Sequence, residues 1–221
     1  MSDILARLTT PLVVGLILTA STLVIFNDWR LSIAALAVQY VLAAALVAQI
    51  VVVQVAVVKA LVGLLVVGIL AYTGREANFG RVRRPAPAPS ALEAQAAAPA
   101  SRFQFSTNFP FRVLAVVMFV VAAWYAANQP RFALPGLPLG VNIASYLLVA
   151  LGLLDLGLTE EPMNAGMGLL TVLVGFEMLY AVFEQSLAVA ALLAAVEFGV
   201  ALAVSYWALL SYAASEKELT G

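Results

Sequence analysis

The chain has 221 residues, of which 64% are hydrophobic and only 10% charged, with a net charge of -1 and a mean hydropathy of +1.03. Soluble domains carry about a quarter charged residues, so composition places this chain in a bilayer, and the lack of a basic face excludes nucleic acid as a partner. Cysteine and histidine are both absent, which removes disulfides, thiolate iron–sulfur ligation, His-ligated haem, classical zinc sites and Ser-His catalysis; no cofactor, metal or catalytic residue is expected in this chain.

A helix needs about 20 apolar residues to cross roughly 30 Å of hydrocarbon, and that ruler cuts the sequence into seven spans. The first runs from Leu8 to Phe26, behind Asp3 and Arg7, and reads as a mature helix because no small-residue cleavage site follows a basic segment. It stops at the polar cluster Asn27 to Arg30, where Trp29 suits an interface. The apolar run from Leu31 to Tyr72 is about twice as long as the bilayer is thick, so it must fold back, with the turn expected between Gln49 and Gln54.

From Gly74 the composition turns basic and then rich in Pro and Ala, notably from Arg84 to Ser90, which predicts an extended linker outside the membrane. The fourth span runs from Phe111 to Ala127, and a Pro-rich segment, Gln129 to Gly140, leads to the fifth, Val141 to Leu158. Glu160, Glu161 and Pro162 form a turn, with Pro162 suited to the first position of a helix. The sixth and seventh spans are Met163 to Phe183 and Ser186 to Tyr212; Asn142 and Asn164 read as helix-start residues and Trp124 and Trp207 as interfacial anchors. The fold class is therefore all-α, a polytopic helix bundle divided into an N-terminal unit (1–73), a linker (74–110), a C-terminal unit (111–213) and a tail (214–221).

Arg75, Arg81, Arg83, Arg84, Arg102 and Arg112 collect between the third and fourth spans. The positive-inside rule then puts this linker, and with seven spans the C-terminal tail with Lys217, in the cytoplasm and the N-terminus outside; Arg131, on the outer side, is a mild exception.

An ionisable side chain at the bilayer centre costs about 2.5 to 3.5 kcal/mol on the insertion scale, so a charge kept there has a partner or a use. Lys59 in the third span, Glu177 in the sixth and Glu197 in the seventh meet that description and form the candidate proton path. Asp155, near the cytoplasmic end of the fifth span and within reach of water, and Gln39, in the second, are accessory candidates. The bland alternative is one or two structural ion pairs, or a glutamate kept neutral by desolvation. Two unit charges about 4 Å apart interact by about 4 kcal/mol at an effective dielectric near 20, so small helix shifts can move a buried carboxylate between charge states.

Gln39 to Lys59 and Glu177 to Glu197 are each 20 residues apart, and a shift of 138 lays the first three spans on the last three. That register proposes two parallel three-helix repeats joined by a connecting helix, with chance similarity of Ala- and Leu-rich helices as the rival. Gly63, Gly68, Gly166 and Gly168 offer small surfaces for helix contact.

The segments Gly175 to Leu179 and Ala194 to Leu202 resemble the paired helices of the small K-type membrane subunit of respiratory complex I, which carry a buried glutamate each. The wider resemblance, over the second, third and fifth to seventh spans, is to the E-type membrane subunit of group 4 membrane-bound hydrogenases. By that resemblance Glu177 and Glu197 take the places of the two buried acids and Lys59 that of an intramembrane lysine. The implied role is a redox-inactive, non-catalytic subunit of a proton-translocating assembly in a bacterial or archaeal cytoplasmic membrane. Its implied partners are the lipid bilayer and other membrane subunits, antiporter-like chains among them. The shorter glutamate spacing and the Pro/Ala linker depart from the family pattern. The rivals are a free-standing secondary transporter, which calls for broken helices and a midplane pocket, and a structural scaffold. Intramembrane proteolysis is weaker still, with Asp155 a lone aspartate.

Overall fold

In hydrocarbon no water is available to backbone N–H and C=O groups, and a helix is the local structure that satisfies them within one segment. The computed structural model describes residues 2–26, 28–76, 109–132 and 134–220, and these form seven helices and no strands. They are α1 (Ser2–Ile25), α2 (Trp29–Val47), α3 (Val53–Glu76), α4 (Phe109–Ala127), α5 (Leu139–Leu158), α6 (Pro162–Tyr180) and α7 (Leu187–Thr220). Six of them, α2 to α7, are long and apolar enough to cross a membrane, while α1 offers a shorter apolar stretch, Thr9–Ile25. The protein is an integral membrane helical bundle.

Local chemistry sets the helix ends. Asp28 caps α2 by accepting from the Arg30 N–H at 3.0 Å, and Pro162 opens α6, where its missing N–H costs nothing. Ser186 accepts from the Val189 N–H at the start of α7. The fold-back expected between Gln49 and Gln54 is the turn 48–52, and Gly136, with φ +86°, lets the segment between α4 and α5 reverse. Several boundaries differ from the sequence reading, most at α1, which begins at Ser2, at α3, which runs on to Glu76, at α6, which ends at Tyr180, and at α7, which continues through the expected tail to Thr220. The Pro/Ala tract with Arg81, Arg83, Arg84 and Arg102 lies outside the described residues, as do the side chains of Asp3, Arg7 and Lys217.

The helices pack as two layers, α1–α2–α3 facing α5–α6–α7, with α1 against α5, α2 against α6, and α3 against α7. Helix α4 stands outside, on α5 and α1. The closest contact is α5 on α6, and glycines make it. A Cβ at Gly152 would come 2.8 Å from the Gly168 carbonyl oxygen, and one at Gly175 would come 2.9 Å from that of Ser145, so backbone meets backbone. Of the glycines singled out in the sequence, Gly63 takes the Tyr40 ring, Gly166 takes Val204 and Gly168 takes Asp155, whereas Gly68 faces open space. Trp29 packs on Gly74 at the end of the bundle that carries the linker, and the Arg30 guanidinium lies 5.2 Å over its ring.

Up-and-down connectivity puts the turn 48–52 and the α6–α7 turn together at the end opposite the linker, where Gln185 Nε2 donates to the Ile50 carbonyl at 3.5 Å. At the same end Thr9 Oγ1 donates to Gln49 Oε1 at 3.1 Å. At the linker end Arg112 of α4 donates to the Val24 and Leu158 carbonyls at 2.8 and 3.1 Å, serving the carbonyl ends of α1 and α5 together.

Candidate functional site

Each membrane charge predicted from the sequence sits on the inner face of the two-layer seam. Lys59 is six residues into α3 and Glu177 three residues before the end of α6, and the two form an ion pair. Their side chains are 11% and 10% exposed, so the pair is largely withdrawn from the surface. Glu197 of α7 is 1% exposed and lies within electrostatic reach of Lys59. One cation therefore stands between two carboxylates contributed by different helices.

Above the pair a cleft opens at the end opposite the linker. Val51 of the turn, Val55 and Val58 of α3, Tyr180 of α6 and Val189 and Leu193 of α7 form its walls; Glu184 and Gln185 stand at its mouth, and Lys59, Glu177 and Glu197 at its foot. Its volume of about 50 Å³ exceeds the roughly 10 to 15 Å³ that one water requires, and the foot is polar enough to hold several.

Behind Glu197 lies Tyr40 of α2, fully buried, its ring seated on Gly63 and its hydroxyl directed at the Glu197 carboxylate. The two side chains face each other within electrostatic and hydrogen-bonding reach. Next to Tyr40, Gln39 is likewise fully buried and donates through Nε2 to Thr171 Oγ1 of α6 at 3.1 Å, while Thr171 donates to the Met167 carbonyl at 2.9 Å. Gln39 Oε1 has no partner.

Asp155 departs from its expected setting. At 3% exposure it is withdrawn from the protein surface and packs against Gly168 of α6, with Arg112 of α4 as its nearby cation. Arg112 lies in the first turn of α4, inside the fourth span as read from Phe111, and its guanidinium serves two helix ends. Asn142 also does more than start a helix: its amide donates to the Ala127 carbonyl of α4 at 2.9 Å, while Asn164 donates to Glu161 at 3.0 Å.

The structure thus brings Lys59, Glu177 and Glu197 together and holds Gln39 and Asp155 at other levels of the seam. Tyr40, Thr171 and Arg112 are additions the sequence reading missed. A hydroxyl well inside an apolar span was the available signal for the first two, and none marked the third. Among the described residues no group of His, Cys, Asp and Glu could hold a metal ion.

No protein-family model, no curated protein and no solved structure matches the chain. Fold and site together define a class, a polytopic helical membrane protein with ionisable side chains buried in its interior.

Proposed function

We propose that this protein is a redox-inactive membrane subunit that carries protons through the Lys59, Glu177 and Glu197 cluster. The observation that carries the reading is the charge count at the foot of the cleft. Lys59 can neutralise one carboxylate, and the second holds either a negative charge or a proton. A proton arriving through water in the cleft forms an O–H bond on Glu177 or Glu197 as its bond to water breaks, and Lys59 shifts its pairing to whichever carboxylate stays ionised. Small displacements of α3 or α7 change which acid that is, since a charge pair in such a setting is worth several kcal/mol. Tyr40 is placed to orient the Glu197 carboxyl group.

The resemblance to the E-type hydrogenase subunit supports the same role and adds partners: antiporter-like membrane chains and a redox arm carried by other subunits. The helices run unbroken through the described residues, which supports a subunit over a free-standing secondary transporter, whose sites usually sit at interrupted helices.

The test begins with gentle solubilisation of the tagged full chain from native membranes and mass spectrometry of what accompanies it. The whole preparation is then reconstituted in liposomes holding a pH-sensitive dye, and proton uptake is driven by a potassium diffusion potential. Glu197→Gln and Glu177→Gln are expected to lower uptake about tenfold or more, with the same chains co-purifying. Undiminished uptake in both variants would refute the proton-carrying role, and recovery of the chain alone as a stable oligomer would remove the subunit assignment.

A further inference from the structure

Beyond Glu197 the seam stays polar, and the register of the helices gives the order of its groups. Gly166 of α6 packs on Val204 of α7. Seven residues from that contact along each antiparallel helix is about 10 Å, so Glu197 lies level with Leu173, between Thr171 and Glu177. Asp155 is level with Gly168. From Gly168 to Glu177 is nine residues of α6, about 14 Å, and that length holds in succession Asp155, Thr171 with Gln39, Glu197 with Tyr40, and Glu177 with Lys59. Consecutive levels are about 3 to 6 Å apart along the helix axis.

Along this line Gln39 Oε1 is buried and meets no donor among the described residues, with Tyr40 and Glu197 facing each other beside it. A buried polar atom without a protein partner is a setting in which proteins hold water. At the last level, a Cβ at position 168 would come 3.1 Å from Asp155 Oδ2, so Gly168 leaves the carboxylate its room, and Thr171, three residues on, shares its helix face. Arg112, half-buried at the linker end, stands beside Asp155.

We propose that the proton path continues from Glu197 through water held by Tyr40, Gln39 and Thr171 to Asp155, and leaves at the linker end past Arg112. This rests on the preceding reading of the Lys59 cluster and extends it from a half-channel to a complete crossing. The O–H bond of the Glu197 carboxyl breaks, each water in the line accepts one proton and passes one on, and an O–H bond forms on an Asp155 carboxylate oxygen. No electron moves. The proton then leaves the Asp155 carboxyl group for water at the linker end, beside Arg112.

The test uses the same reconstituted full-chain preparation with two readouts: proton uptake, and the infrared carboxyl band of Glu197, assigned by its loss in E197Q and followed on transfer to heavy water. D155N and T171V are expected to lower uptake about tenfold or more, with the Glu197 band still shifting because the cleft still reaches it; D155E is expected to restore uptake. Uptake in D155N and T171V equal to that of the unchanged chain, with E197Q inactive, overturns the path and leaves the cluster reading intact. Loss of the Glu197 band shift in D155N, or failure of D155E to restore uptake, also overturns it, since Asp155 then acts only as structural support. Full uptake in E197Q removes the cluster reading itself.

Discussion

Lys59 faces two carboxylates with one charge: it pairs with Glu177 and lies within electrostatic reach of Glu197. Removing one member of a buried ion pair leaves the other uncompensated and costs about 3 kcal/mol or more, while removing both together costs much less. K59M is therefore expected to lower the thermal stability of the detergent-solubilised chain, and K59M/E177Q to recover most of the loss, as followed by a melting curve. Equal losses in the single and double variants would show that Glu177 is not the charge that K59M leaves uncompensated. At this scale the sequence was informative about chemistry and silent about partners. A charge inside an apolar span announces itself, so Lys59, Glu177 and Glu197 could be named from composition alone. That Lys59 meets Glu177 directly and Glu197 at longer reach depends on three helices from distant parts of the chain.

Between elements, the site is positioned by how closely α5 and α6 approach. Gly152 and Gly175 permit that approach, because a Cβ at either would sit within 2.9 Å of backbone atoms of the facing helix, which cannot rotate away as a side chain can. G152V and G175V are each expected to destabilise the bundle by about 1 to 3 kcal/mol or more, read as a lowered melting temperature. G68A, where nothing lies within 4 Å, should be neutral or stabilising by up to about 1 kcal/mol through helix propensity. Equal effects at all three positions would mean that the α5–α6 contact is looser than described. Helix existence and approximate ends were legible, since spans are set by the thickness of hydrocarbon. Which glycines matter was not: Gly68 looked as useful as Gly63, and Gly152 and Gly175 carried no distinguishing mark in an Ala-rich background.

At the scale of the whole molecule, buried polar groups follow one seam from end to end. The cleft with Glu184 and Gln185 opens at one end, and Asp155 and Arg112 approach the other. The chain has no cysteine, so single cysteines report access directly. Cysteine at Gln185 or Val189 is expected to react with a membrane-impermeant thiol reagent from one face of sealed vesicles, and cysteine at Glu161 or Arg75 from the other. Labelling of all four from a single face would break the up-and-down order on which the crossing depends.

The sequence by itself determined the solvent, the all-helical class, six of the spans and the membrane charges Lys59, Glu177 and Glu197. Each follows from local facts: the run length of apolar residues, the helix as the structure that satisfies its own backbone, and the cost of a charge in hydrocarbon. Only the tertiary structure decided that α1–α2–α3 faces α5–α6–α7, that Tyr40 stands behind Glu197, that Thr171 meets Gln39 across 132 residues, and that Asp155 is sealed beside Gly168 and Arg112. Those pairings join residues far apart in the chain. In helices apolar on every side no periodicity marks which face turns inward, so the decision passes to backbone approach at glycines and to the few polar groups that must find one another.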